Sequence, residues 1–87
     1  MSQVVLYGRP GCHLCDDARA ALERVRAGVP FELREVDITG DDALHARYLE
    51  RIPVVALDGE ELFDFFVDEA ALAARLRASR PPDASPA

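Results

Sequence analysis

The 87-residue sequence contains no lysine and no tryptophan, one methionine and only two cysteines. Its ten cationic side chains are therefore all arginine, a bias ascribed to genomic base composition and given no mechanistic weight. No apolar run approaches the roughly 20 residues needed to span a bilayer, which excludes a membrane segment. Only Met1, Ser2 and Gln3 precede the first strand-like run. The basic region, apolar stretch and small-residue cleavage site of a secretory leader are missing, so a cytoplasmic location is expected. Positive charge is scarce as well. A formal net charge of −6 and a pI near 4.7 would repel phosphate backbones, and the arginines do not cluster, which disfavours nucleic-acid binding. There is no Ser/His/Asp arrangement, no glycine-rich phosphate loop and no paired-carboxylate pattern. Asp16-Asp17 and Asp41-Asp42 stand where helix starts favour acidic side chains.

The composition, 49% hydrophobic and 30% charged, is ordinary for a globular chain. At this length folding buries only about 60% of the unfolded surface, so one domain with one modest core is expected. In a reducing compartment two cysteines do not suggest a structural disulfide, which leaves catalysis or metal binding. The pair lies in Tyr7-Gly8-Arg9-Pro10-Gly11-Cys12-His13-Leu14-Cys15. A helix beginning at Cys12 would offer its free N–H groups and its dipole to a thiolate there, making Cys12 the candidate nucleophile. Cys15, one turn further in, is placed to attack a mixed disulfide formed on Cys12, and is the candidate resolving thiol.

The apolar pattern supplies the frame. Val4-Val5-Leu6-Tyr7, closed by Gly8 and Pro10, reads as a buried strand ending in a loop. From His13 to about Ala27, Leu14, Ala18, Leu22 and Val25 recur at helical spacing, with Leu14 as the first core contact and Gly28 as the stop. Phe31 to Asp37 reads as a second, edge strand. Thr39 to Asp42 is a turn offering an N-cap to a helix of about two turns that carries Leu44, His45 and Tyr48 and stops near Arg51-Ile52-Pro53. Val54 to Leu57, Asp58-Gly59 and Leu62 to Phe65 form a hairpin. Asp68 caps a last helix whose Leu72 and Leu76 face the core, with Val67 packed on Leu72 as a hydrophobic staple. The order is βαβ, helix, hairpin, helix: an α/β mixed four-stranded sheet flanked by helices, spanning 1–79, with a disordered C-terminal tail over 80–87.

A Cys-x-x-Cys after the first strand of such a unit is the context of a thioredoxin-like redox site. Here the chain resembles the glutaredoxin branch of the thioredoxin fold, and in particular the small bacterial glutaredoxin-like proteins. Three stretches in the right order carry the resemblance: Tyr7 to Cys15, Arg51-Ile52-Pro53-Val54 and Phe65-Phe66-Val67-Asp68-Glu69. It implies a cis Ile52-Pro53 peptide facing Cys12, with the Ile52 backbone free to pair with an incoming peptide or glutathione. It also implies a cation at Arg9 for a substrate carboxylate or the thiolate, a second anionic contact at Arg51, and a groove bounded by Val67 and Asp68. His13, if protonated, would favour the Cys12 thiolate and make the couple more oxidising. The departure is at Phe65 and Phe66, where the family often has two glycines. Phenylalanine does not supply the close approach and positive φ of glycine cheaply, so the pocket for the γ-glutamyl end of glutathione is altered or filled. Side chains alternate along a strand, so one of Phe63, Phe65 and Phe66 is expected exposed near the site.

The activity expected is thiol–disulfide exchange on disulfide-containing proteins or glutathione mixed disulfides, in a monomer without bound cofactor or metal and with glutathione as a possible co-substrate. Two alternatives stand beside it. A metal or iron–sulfur carrier would use the same thiols, with Cys12, His13, Cys15 and His45 as the nearest approach to the four ligands of a closed zinc site. A binding module would use the fold without the cysteines.

Overall fold

The computed structural model describes residues 2–78; the expected tail over 80–87 lies outside them. Four strands, β1 (Gln3–Gly8), β2 (Glu32–Asp37), β3 (Val54–Leu57) and β4 (Glu60–Asp64), form one sheet in the order β2-β1-β3-β4. Helices α1 (His13–Gly28), α2 (Asp42–Tyr48) and α3 (Glu69–Ala78) flank it. β1 runs parallel to β2 and antiparallel to β3, and β3 pairs antiparallel with β4. The sheet is mixed because β1 and β2 are joined by a helix while β3 and β4 are joined by a two-residue turn.

Alternation along the strands builds two apolar layers. Val4, Leu6, Val55 and Leu57 meet Ala18, Leu22 and Val25 of α1 and Leu72 and Leu76 of α3. Val54 meets Ile38, Tyr48, Ile52 and Cys15, with Tyr7, Leu44 and Cys12 at the margin. All four residues of β3 are buried, whereas the edge strand β2 has none buried, which is why β3 reads as a continuous apolar run and β2 as an alternating, charged one.

Local signals set the element ends. Asp41 accepts from the Ala43 and Leu44 N–H groups at 2.9 and 3.1 Å and caps α2. Asp68 accepts from the Ala71 N–H at 3.0 Å at the start of α3, and Val67 packs on the cluster that holds Leu72. At the hairpin tip Asp58 and Gly59 both have positive φ, 48° and 90°, as the two-residue turn that matches strand twist requires. Asp58 is held there by the Gln3 N–H, which donates to its carboxylate at 2.9 Å.

Two expectations are corrected. Strand β4 stops at Asp64 rather than running to Phe65, because Phe65 takes a positive φ of 68° that leaves the extended conformation; within the strand, Val55 faces Phe63 while Ala56 faces Glu61, leaving Leu62 as the extra residue of a bulge. Leu14 is not a core contact: it is 38% exposed. The buried stripe of α1 is Cys15, Ala18, Ala21, Leu22 and Val25; Leu14 falls on the same face but at the first turn of the helix, where it lines an open groove with Phe65 and Phe66.

Candidate active site

Cys12 is the N-cap of the 16-residue helix α1, with extended φ and ψ, and its sulfur accepts from the Cys15 N–H at 3.2 Å. A sulfur in that position takes over one of the helix's unsatisfied donors, the arrangement that favours negative charge on it. The two sulfurs are joined as a disulfide with Cα atoms 5.1 Å apart. The members of the pair differ in access: Cys12 is partly exposed, Cys15 only 3% exposed.

Gly8 explains how Cys15 can be so deeply set. A Cβ at Gly8 would lie 2.8 Å from the Cys15 sulfur and 3.2 Å from its Cβ, so the end of β1 and the start of α1 approach as closely as they do only because this position has no side chain. In the sequence Gly8 marks the end of the first strand. Its place four residues before Cys12, between a buried strand and the helix, is the signal that it has a second role. From the β2 side a cleft of about 290 Å³ reaches the same region, lined by Arg9, Cys15, Asp16, Arg19, Glu35 and Asp37 among others. Arg19 bridges Asp16 and Glu35 across it, and Thr39 hydrogen bonds hold the Asp37 carboxyl below its usual range.

On the other side of the pair lies the Ile52-Pro53 loop. The peptide is cis, as the resemblance implied, and Ile52 shares an apolar cluster with Cys15 and Cys12. The expectation of a wholly free Ile52 backbone needs correction. Its N–H donates to the Tyr48 carbonyl at 3.0 Å, closing the last turn after α2, so only the carbonyl remains for an incoming chain. Pro53 is buried, and its carbonyl accepts from the Phe65 N–H at 2.8 Å.

The placing of the remaining candidates is mixed. Arg9 is exposed at the mouth of the cleft beside Cys15 and makes no ion pair with the described residues. His13 is exposed on the first turn of α1. The carboxylate of Asp68 is engaged in capping. Arg51 is not poised for an anionic substrate. Its guanidinium contacts Asp64 at 3.1 Å and Glu61 at 2.6 Å, because the bulge in β4 turns both carboxylates toward the end of α2. Among the described residues no group of three or more His, Cys, Asp and Glu gathers as a metal site, and His45 lies on α2, apart from the cysteines.

The Arg51 clamp has a measurable consequence. The Arg51 hydrogen bond, followed by that of the Tyr48 hydroxyl, holds the Glu61 carboxyl below its usual range. A carboxylate with a depressed folded value contributes its stabilisation above the unfolded value of about 4.3 and loses it as pH falls through the folded value. Between about pH 5 and about pH 3 the unfolding midpoint of the parent protein should fall more steeply than that of Glu61→Gln. Parallel curves would show that the clamp contributes nothing.

Residues 3–77 match the family model described as Glutaredoxin-like domain (DUF836). A Mycobacterium tuberculosis protein described as uncharacterized, Rv0508, is 35% identical over 93% of this chain and 92% of its own length. The solution structure of Ne2328 from Nitrosomonas europaea superposes with a TM-score of 0.76 at 34% identity, covering 85% of this chain and 89% of that one. The X-ray structure of XcR50 from X. campestris gives 0.72 at 39% identity, covering 87% and 97%. A thioredoxin mutant from Halobacterium salinarum, at 20% identity and a TM-score of 0.66, covering 92% of this chain and 75% of that one, shares the fold. With a capped Cys-x-x-Cys pair on a thioredoxin-like sheet and a family match over nearly the whole described chain, this protein belongs to the glutaredoxin-like domain family.

Proposed function

We propose that the chain is a thiol–disulfide oxidoreductase acting on protein disulfides or glutathione mixed disulfides. The observation that carries the reading is the inequality within the pair: an accessible sulfur at the head of α1 and a buried one a turn behind, close enough to bond. The Cys12 thiolate attacks one sulfur of the substrate disulfide, forming a mixed disulfide and releasing the other sulfur as a thiolate that takes up a proton. Cys15 then loses its proton and attacks Cys12 Sγ, displacing the second substrate thiolate. The protein ends as the Cys12–Cys15 disulfide, two electrons poorer, and the substrate as a dithiol or a pair of thiols. An external thiol reductant, such as glutathione, restores the starting state.

No carboxylate, imidazole or guanidinium is buried beside Cys15 among the described residues. Its proton therefore leaves through the cleft that opens on Asp16, Glu35 and Asp37. Arg9, at the mouth of that cleft, is the cation available to a substrate carboxylate. The test is a redox titration against glutathione followed by mass spectrometry. The expected outcome is a reversible loss of two hydrogens per chain, mapped to Cys12 and Cys15, with two thiols titratable after reduction. A pair that stays reduced across the whole range of glutathione poise would remove the proposal.

A further inference from the structure

Beyond the cis-proline loop the chain makes a turn that glycine would make easily. Phe65 has a φ of 68°, and the Phe66 N–H donates to the Asp64 carbonyl at 2.7 Å. Phe65 is thus the central residue of a three-residue γ-turn of the strained hand. Glycine reaches such a positive φ without a side-chain penalty, and phenylalanine does not. The turn is also exposed: Phe66 is 73% and Phe65 43% accessible, and with Leu14 they border a groove of about 180 Å³ floored by Ala18 and Ala21 of α1. Backbone strain and exposed aromatic surface coincide on adjacent residues.

We propose that Leu14, Phe65 and Phe66 form the docking surface for an apolar segment of a protein substrate, next to the disulfide that Cys12 attacks. The inference rests on the thiol-exchange reading of Cys12 and names its substrate class. Continuity with the reactive sulfur is the first argument. Leu14 follows Cys12 by two residues on the first turn of α1, and the Phe65 N–H is fastened to the Pro53 carbonyl in the loop whose Ile52 packs with Cys12. The patch therefore adjoins both the first turn of α1, which Cys12 caps, and the cis-proline loop. Charge is the second. The groove's one arginine, Arg24, is engaged by Glu69 at 2.8 Å, and its remaining charge is the acidic Asp17. That lining offers the α-carboxylate of glutathione no free cation, whereas an uncharged apolar side chain finds two phenyl rings, Leu14 and the space left by two alanines.

In the step proposed, the Cys12–Cys15 dithiol gives two electrons and two protons to the peptide disulfide. The test uses prereduced protein in single turnovers with two peptides, each closed by its own disulfide. They differ only in leucine or serine beside the attacked cysteine. The parent protein is expected to favour the leucine peptide by about tenfold, and F66S should bring the preference close to parity. Equal rates in the parent protein, or a preference that survives in F66S, overturns the proposal. So does a dimer in sedimentation equilibrium that F66S dissociates, which would assign the patch to a second copy of the chain. Cys12→Ser on the serine peptide keeps the two readings apart. Exchange that survives there removes the chemistry, whereas exchange lost there together with equal parent rates removes only the docking surface.

Discussion

Replacing Cys12 with serine is expected to abolish disulfide exchange, by about four orders of magnitude or more, because a serine hydroxyl at neutral pH is neither ionised nor soft enough to attack sulfur. Cys15→Ser should give a different phenotype. The first attack is untouched, since the accessible sulfur and the helix N-terminus beneath it remain, but nothing behind Cys12 can release the captured substrate. The variant should accumulate as an adduct heavier by one substrate half. Where glutathione resolves the adduct from outside, slow turnover returns. Mass spectrometry under non-reducing conditions distinguishes the two variants directly. If instead Cys12→Ser accumulated the adduct and Cys15→Ser formed none, the order of attack would be reversed. That reversal would contradict the burial of Cys15 at 3% exposure.

The second large effect is expected at Gly8. In Gly8→Ala the new methyl group would lie 2.8 Å from the Cys15 sulfur, and neither neighbour yields readily. β1 is held by ladders on both sides, to β2 and to β3, and Cys15 sits in the buried stripe of α1. Overpacking of this kind costs about 1–3 kcal/mol, which in a domain of this size lowers the unfolding midpoint by about 4–8 °C per kcal/mol. The redox consequence is the more specific one: displacement of the resolving sulfur should slow the second step and let mixed disulfide build up during turnover. A double-mutant cycle isolates the cause. Against a Cys15→Ala background the cost of Gly8→Ala should shrink by about 1 kcal/mol, because the clashing atom is gone. Additive costs would mean that the strain lies in the strand and not against the sulfur.

Much of this architecture was legible because local chemistry and global fold agree. The Thr39 to Asp42 turn, Asp58-Gly59 and Asp68 each signal a turn or cap by a mechanism that needs no tertiary context, and the wholly apolar Val54 to Leu57 reads as an interior strand. The readings that failed depend on what lies across the chain. Leu14 fits the helical period, but period does not tell whether anything covers the first turn of the helix, and there it lines an open groove. Phe65 continues the alternation of β4, yet with its N–H bonded to the Pro53 carbonyl it takes a positive φ that no pattern assigns to phenylalanine. Arg51 reads as a substrate contact by position, while the carboxylates that claim it come from a strand ten or more residues away. The cis state of Ile52-Pro53 came from family resemblance and not from the residues, since trans is the ordinary state before proline.

The ring stack over the site has a consequence of its own. Tyr7 and Tyr48 are the only tyrosines of a chain without tryptophan. Their rings stack at 4.6 Å within the cluster that contains Cys12 and Cys15. Near-ultraviolet emission beyond the phenylalanine band thus arises wholly from a chromophore pair beside the sulfurs, in contact range of a group that quenches excited rings when oxidised. The molecule is in this sense its own optical probe, and a spectrum taken on the whole chain is read out at its redox centre.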